Sequence, residues 1–265
     1  MGDVTDKKPS TLNPWPAGAV ISLLLLGMFL SAWFAPGGWN WLCVTILLTG
    51  FMGILGKYVT KYPAGILINQ LNILSLSRFQ AVLWTIIVLS AYFTMALIRV
   101  KSSVDDPLAI EIDWHLWALI GISITSLVGT PLLQGPKKAK EPDESKLKQT
   151  ADALDQTVVE VNGCRQGLLY GNPNIRDARF SDMFQGDEVG NTNHVDLPKV
   201  QMFLFTLIAA FTYCVILFNA LVAANNDGAV LQGLPVLPNG LIAILGISHA
   251  GYLTSKGTDH TPLEK

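Results

Sequence analysis

Six stretches of the chain contain no Asp, Glu, Lys or Arg and are long enough to cross a lipid bilayer as helices. Each is close to the ~20 residues that a helix needs to cross ~30 Å of hydrocarbon. Their apolar residues run continuously instead of alternating with polar ones, which favours helices over the strands of a membrane barrel. The stretches are residues 17–34, 38–56, 79–98, 114–134, 200–224 and 234–255. The pattern therefore predicts an all-α integral membrane protein with six transmembrane helices.

One pair of these helices occurs twice in the sequence. The first helix of each pair begins with a similar motif at an offset of 121 residues, S-L-S-R-F-Q…W-T at residues 75–85 and D-L-P-K-V-Q…F-T at residues 196–206. The second helix of each pair contains Gly-Ile-Ser, at residues 121–123 and 246–248. Both pairs enter the membrane from the same side, so we expect a parallel internal duplication about a pseudo-twofold axis along the membrane normal.

The repeat and the charged residues divide the chain into seven predicted regions. Of the 18 Lys and Arg residues, only Arg99 and Lys101 lie outside the two tails, residues 57–78 and residues 135–199. The positive-inside rule therefore predicts that both termini and the long insert are cytoplasmic. The regions are a flexible tail at 1–16, a transmembrane hairpin at 17–56, a cytoplasmic interfacial linker at 57–74, transmembrane repeat 1 at 75–134, a cytoplasmic, partly helical insert at 135–195, transmembrane repeat 2 at 196–255 and a C-terminal tail at 256–265.

Composition supports the membrane assignment and excludes several classes of function. Half of the 265 residues are apolar and only 14% are charged, which is too apolar for a soluble domain of this size. Basic residues of the insert are balanced by acidic ones, so no nucleic-acid partner is predicted. The three cysteines offer no disulfide framework, and no Cys and His residues have metal-ligand spacing. We therefore predict no metal and no cofactor.

Polar residues inside the predicted spans are the candidates for function. An amide or hydroxyl group in a membrane helix needs a hydrogen-bond partner, because an unpaired polar group is costly in lipid. These residues either line a wet path or pore or hold neighbouring helices together by hydrogen bonds. They are Gln80, Thr85, Ser123, Gln201, Thr206, Ser248 and His249. The basic pair Arg78 and Lys199 begins the two repeats and is predicted to face lipid headgroups.

A heptad-like stripe within the insert is the candidate surface for association. Its apolar residues follow a 4-3-4-3 spacing that is typical of one amphipathic helix with a coiled-coil-like face. Two heptads allow either contact with another copy or a partner protein, or packing of the helix on its own domain. The residues are Leu147, Ala151, Leu154, Val158 and Val161.

Enzymatic activity is not predicted. The stretch G-I-S-H-A at residues 246–250 has only a faint likeness to a nucleophile elbow, since the fifth residue is Ala and the segment is a membrane helix. The neighbouring Ser248 and His249 would point about 100° apart on a helix and could not form a catalytic pair.

The pattern S-L-S-R-x-Q-x3-W-T followed by L-x-G-I-S resembles a poorly characterised family of bacterial inner-membrane proteins that carry this two-helix unit once or twice. The resemblance covers both repeats and residues 180–191. It implies a bacterial inner-membrane location but no activity, cofactor or functional residue. The second copy departs from the pattern at Pro198, Lys199 and Phe205.

Two functions follow as hypotheses. The first is a subunit of an oligomeric, channel-like or pore-forming assembly, indicated by uncharged spans that carry Gln, Ser and Thr. The alternative is a non-conducting membrane anchor or scaffold that presents its cytoplasmic insert to a partner protein. The expected partners are membrane lipid and either further copies of the chain or another membrane or cytoplasmic protein.

Overall fold

The computed structural model describes residues 14–264, with side chains from residue 18 onward, and this part of the chain is mostly helical. The predicted tail at 1–16 lies outside these residues except for the start of the first helix. Four helices are long and apolar enough to cross a membrane: α2 (Gly37–Thr60), α3 (Leu76–Lys101), α4 (Trp114–Gln134, continued by a 3-10 turn at Pro136–Ala139) and α7 (Leu197–Asn226). The prediction of a helical membrane protein is confirmed at this level.

Two further helices coincide with the other predicted spans but fall outside this group of four. Helix α1 (Pro14–Phe34) has 21 residues, and the structure describes side chains only for its apolar part, Gly18–Phe34. Helix α8 (Asn239–Gly257) carries Asn239, His249 and Lys256 among its 19 residues, which lowers its hydropathy. Six crossings therefore stay a prediction.

Helices α3, α4, α7 and α8 pack into a four-helix bundle. Helix α3 contacts α4 and α7, and α8 contacts the same two helices from the other side. Helix α2 packs against α3 and α7, while α1 packs against α2 and α3 at the periphery. The bundle core contains large fully buried side chains, among them Trp41, Trp84, Tyr213, Leu217 and Leu245.

The buried positions of the paired helices correspond at an offset that is one residue larger than the offset of the sequence repeat. In α3 and α7 the buried positions correspond at an offset of 122 residues, and in α4 and α8 at 126, whereas the sequence identities lie at 121 and 125. One residue rotates a helix position by about 100°. Identical residues in the two copies therefore face different surroundings, and the duplication itself stays a prediction. The matching buried pairs include Gln80 and Met202, Trp84 and Thr206, Ala91 and Tyr213, Ser123 and His249, and Ser126 and Tyr252.

Residues 135–196, which we call the connecting segment, form a small folded unit between α4 and α7. It contains helices α5 (Glu144–Ala153) and α6 (Val158–Cys164), a two-stranded hairpin of β1 (Arg165–Gln166) and β2 (Leu169–Tyr170), and 3-10 turns at Ile175–Asp177 and Phe180–Phe184. The end of the bundle that it covers is called the segment end below.

The single amphipathic helix predicted across residues 147–161 is wrong, because the chain breaks between α5 and α6. Leu154 ends α5, Asp155 takes a left-handed conformation with φ 53°, and Thr157 starts α6. Thr157 and Glu160 form a capping box, in which the Thr157 amide donates to Glu160 Oε2 at 2.7 Å. This local cap competes successfully with a continuous helix.

The predicted stripe faces the interior of the connecting segment. Leu147, Ala151 and Val161 are buried together with Val189, while Leu154 and Val158 are half-buried. This arrangement corresponds to the intramolecular alternative, in which the stripe packs on its own domain.

A buried serine joins α2 to α3. Ser90 Oγ accepts a hydrogen bond from Trp41 Nε1 at 2.9 Å and another from Thr45 Oγ1 at 2.9 Å. All three residues lie within helices that can span a membrane, where water cannot replace a lost partner. This contact therefore fixes the position of α2 on the bundle.

We expect Ser90→Ala to lower the free energy of unfolding by about 1 kcal/mol, because the Trp41 indole N–H loses its acceptor. Unfolding in mixed detergent micelles, followed by circular dichroism, measures the change. Thr49→Val is the control, since exposed Thr49 bonds only to the carbonyl of Thr45 in its own helix. Equal losses for both variants would contradict a specific role for Ser90.

Candidate functional site

Five buried charged residues meet where the connecting segment covers the bundle. Lys137 follows α4, Lys199 lies in the first turn of α7 and Lys256 lies in the last turn of α8. The connecting segment supplies Asp187 and Glu188. All five have relative exposures of 7% or less, so we call them the ion cluster.

Asp187 is the centre of the ion cluster. Its Oδ1 accepts from Lys199 Nζ at 2.7 Å, and its Oδ2 contacts Lys256 Nζ and accepts from Gln134 Nε2 at 2.9 Å. The Lys199 amine also donates to the backbone carbonyl of Gln185. One carboxylate therefore binds side chains from α4, α7 and α8.

Glu188 extends the ion cluster to the residues that follow α8. Its Oε1 accepts from Lys137 Nζ at 2.6 Å, and its Oε2 accepts from the His260 amide at 2.9 Å. Lys137 Nζ donates in addition to the carbonyl of Thr258 at 2.5 Å. Both oxygens of this carboxylate are thus used within the protein.

Local backbone geometry places the two acids. Asn191 Oδ1 accepts from the Glu188 amide at 3.0 Å, and the Gly190 amide donates to Thr261 Oγ1 at 2.9 Å. A Cβ atom on Gly190 would lie 2.5 Å from the carbonyl oxygen of His260, so this approach requires glycine. The turn therefore holds the acids against the chain after α8.

Further into the bundle lies a second group of buried polar residues, which we call the polar core: Gln80, Ser126, Thr206, Ser248 and His249. Gln80 Nε2 donates to Thr206 Oγ1 at 2.5 Å and links α3 to α7. His249 Nδ1 lies 2.8 Å from the carbonyl oxygen of Leu245.

Four polar atoms of the polar core have no hydrogen-bond partner among the described residues. They are Gln80 Oε1, Ser126 Oγ, Ser248 Oγ and His249 Nε2. Buried polar atoms are usually paired with protein or with ordered water. The polar core thus retains the capacity to bind water or another small polar species.

Tyr252 lies between the polar core and the ion cluster. Its hydroxyl accepts from Thr130 Oγ1 at 3.3 Å, and Lys256 Nζ lies 5.1 Å from the centre of its ring. Tyr252 is fully buried, so it separates the two polar groups with an aromatic ring.

The structure separates the polar residues that were predicted to line a path or to hold neighbouring helices together. Gln80, Thr206, Ser248 and His249 lie in the polar core, whereas Thr85 and Ser123 line a groove between α3 and α4. Gln201 is exposed on α7, and its side chain makes no hydrogen bond within residues 18–264. The one-residue shift between the buried positions and the sequence repeat explains why Gln80 is buried and Gln201 is exposed.

The two basic residues that begin the repeats, Arg78 and Lys199, also have different surroundings. Arg78 is half-buried and donates to the carbonyl of Ile66 at 3.5 Å, and its headgroup contact stays a prediction. Lys199 does not face headgroups, because the Asp187 carboxylate binds its amine inside the protein. The charge at the start of α7 was recognised in the sequence, but its partner lies in another element.

Sequence reasoning missed Lys137, Lys256, Asp187 and Glu188. Lys137 lies beside other lysines and Lys256 is a single lysine, and both directly follow apolar stretches, where a headgroup position is the usual expectation. The acids lie in a loop-like stretch with many polar residues. The only feature of the sequence that marks this site is the pair of adjacent acids just before the second repeat, and such a pair does not indicate burial.

Comparisons with protein-family models, curated proteins and solved structures find no match to this chain. The resemblance to bacterial inner-membrane proteins therefore stays a prediction, and the functional argument rests on the geometry above.

We expect Asp187→Asn to lower the free energy of unfolding by about 3–5 kcal/mol, because two buried amines lose their counter-charge. Thermal unfolding of the purified full chain in mild detergent measures the loss. Adding Lys256→Met to this variant should recover part of the lost stability.

Glu141→Gln is the matched control, since Glu141 forms an ion pair with Arg165 at 2.7 Å but is 59% exposed. Such a pair contributes about 0–1 kcal/mol. A similar loss of unfolding free energy in both variants would show that the buried ion pairs of Asp187 stabilise the protein no more than an exposed pair does.

Proposed function

We propose that the protein is a channel-like subunit of a bacterial inner-membrane assembly, with six crossings, cytoplasmic termini and a cytoplasmic connecting segment. The polar core of the four-helix bundle is its conducting path, and the ion cluster closes that path at the segment end. The proposal includes association of several copies, each with its own path.

The observation that carries the proposal is the set of unpartnered polar atoms inside a bundle in which α3, α4 and α7 are long and apolar enough to span a membrane. An unpaired buried polar group costs roughly 2–7 kcal/mol in an apolar medium, depending on the reference state. Water that enters the bundle would satisfy Gln80, Ser126, Ser248 and His249 and offset this cost. The same wetting would provide a route for small polar species.

The described state is closed at the segment end. The two cavities next to the ion cluster have volumes of about 10 Å³ each, close to the space of one water molecule. Tyr252, Gln134 and Lys256 line the cavity on the bundle side. Opening therefore requires the connecting segment or the end of α8 to move.

A scaffold role is the second candidate, and it is favoured by the fold of the connecting segment. The segment has its own small core around Leu147 and Val161, and the ion cluster holds it on the bundle. Its helix α6 presents Val159 with 80% exposure. A folded unit with an exposed apolar residue could bind a partner protein as well as close the proposed path.

Reconstitution into planar bilayers tests the proposed channel. We expect single-channel openings of the wild-type protein and a decrease of at least about tenfold in conductance for Gln80→Leu, which removes polar atoms from the polar core. Gln201→Leu is the matched control, because it makes the same change at an exposed residue of α7.

The two variants also locate the path. A loss in Gln201→Leu with normal conductance in Gln80→Leu would place conduction between copies and contradict a path through the core. No openings of the correctly folded wild type under any voltage or ionic condition would reject the channel and favour the scaffold. Size-exclusion profiles and thermal unfolding confirm that each variant is folded.

A further inference from the structure

A large groove runs between α3 and α4 on the outer side of the bundle. Its volume is about 610 Å³, within the 300–1,000 Å³ that is typical of sites for small ligands. Ile110 and Ile112 close the end farther from the connecting segment, and Ala81 and Ile124 lie toward the other end. Both walls belong to helices that can cross a membrane, so the groove opens toward lipid.

The walls of the groove are mainly apolar. Val88 and Leu89 from α3 face Trp117 and Ile120 from α4 across it. Leu89 and Trp117 are 48% and 59% exposed, so no other part of the described chain covers them. No Asp, Glu, Lys or Arg lines the groove, so a charged headgroup would find no partner there.

Three polar side chains without partners also line this apolar groove. Ser123 Oγ is buried and makes no hydrogen bond within the described chain. The Thr85 hydroxyl and the Trp84 indole N–H have no hydrogen bond to residues 18–264 either, although Trp84 is 2% exposed. Most threonines of the spanning helices bond to their own backbone, as Thr125 does to Gly121, which makes Thr85 an exception.

We propose that the groove between α3 and α4 binds an elongated apolar molecule from the bilayer that carries an uncharged hydrogen-bonding group, such as a long-chain alcohol. The apolar walls hold the chain, and Thr85, Ser123 and Trp84 bind the polar group. An indole N–H can only donate, whereas a hydroxyl donates and accepts, so a hydroxyl or carbonyl oxygen on the ligand fits the set. The groove is separate from the polar core, so this site does not depend on conduction.

Photolabelling of the full-length protein in phosphatidylcholine vesicles tests the site. One probe is a sixteen-carbon alcohol with a diazirine in its chain, and the other is the alkane of the same length without the hydroxyl. We expect the alcohol to label peptides of residues 81–92 and 117–124 roughly three- to tenfold more than the alkane, as one or two hydrogen bonds would give.

Two kinds of variant separate the apolar and polar parts of the site. Ala81→Phe fills the groove and should abolish preferential labelling of these peptides, while Ala19→Phe, at an exposed alanine of α1, should leave it unchanged. Thr85→Val combined with Ser123→Ala should reduce labelling by the alcohol to the level of the alkane. Thr125→Val, at an exposed threonine outside the groove, is the polar control.

Two outcomes would overturn the proposal. Labelling spread evenly over all lipid-facing helices and insensitive to Ala81→Phe would show that the groove holds no preferred ligand. Equal labelling of the groove by the alcohol and the alkane would show that ordinary lipid chains fill it and that the polar side chains bind nothing. Unfolding measurements on every variant exclude a general loss of structure as the cause.

Discussion

The burial of the Asp187 carboxylate between two lysine amines constrains most of the remaining structure. Removing one charge from water costs several kcal/mol, and the attraction between opposite charges offsets this cost only when they stay in contact. Movement of the connecting segment away from α7 and α8 would therefore leave the Lys199 and Lys256 amines without their counter-charge unless water reaches them. Gln134 adds the end of α4 to the same carboxylate.

This constraint makes the connecting segment part of the bundle. Glu188 binds Lys137 and the chain after α8, and that chain pairs in turn with the segment through a bridge between Pro142 and Leu263. A movement of α8 along its axis would strain both carboxylate sites. In the proposed channel, opening of the polar core from the segment end would therefore require both carboxylate sites to change together, as in a switch with two discrete states.

The sequence was sufficient to predict the elements that local patterns control. Long apolar stretches place the helices, because a helix in lipid must satisfy its own backbone hydrogen bonds. The 4-3-4-3 spacing does not predict the break at Asp155, since it continues across the break, whereas Thr157 and Glu160 form the capping box that starts α6. The ion cluster was out of reach, because it joins residues more than fifty positions apart along the chain, such as Lys137 and Glu188.

The buried positions of the two hairpins are shifted by one residue relative to the repeated motifs. The same place in the motif therefore does not imply the same burial, or the same function, in both copies. Gln80 and Gln201 occupy the same place in the motif, yet one is buried against Thr206 and the other is exposed on α7. His249 takes the buried position that corresponds to Ser123, although the motif aligns it with Ile124. Helix rotation, set by packing of the whole bundle, therefore decides which polar residue enters the core. The two hairpins consequently differ in chemistry despite their similar sequences, since His249, Lys199 and Lys256 are buried in the second and have no counterpart of the same type at the corresponding buried positions of the first.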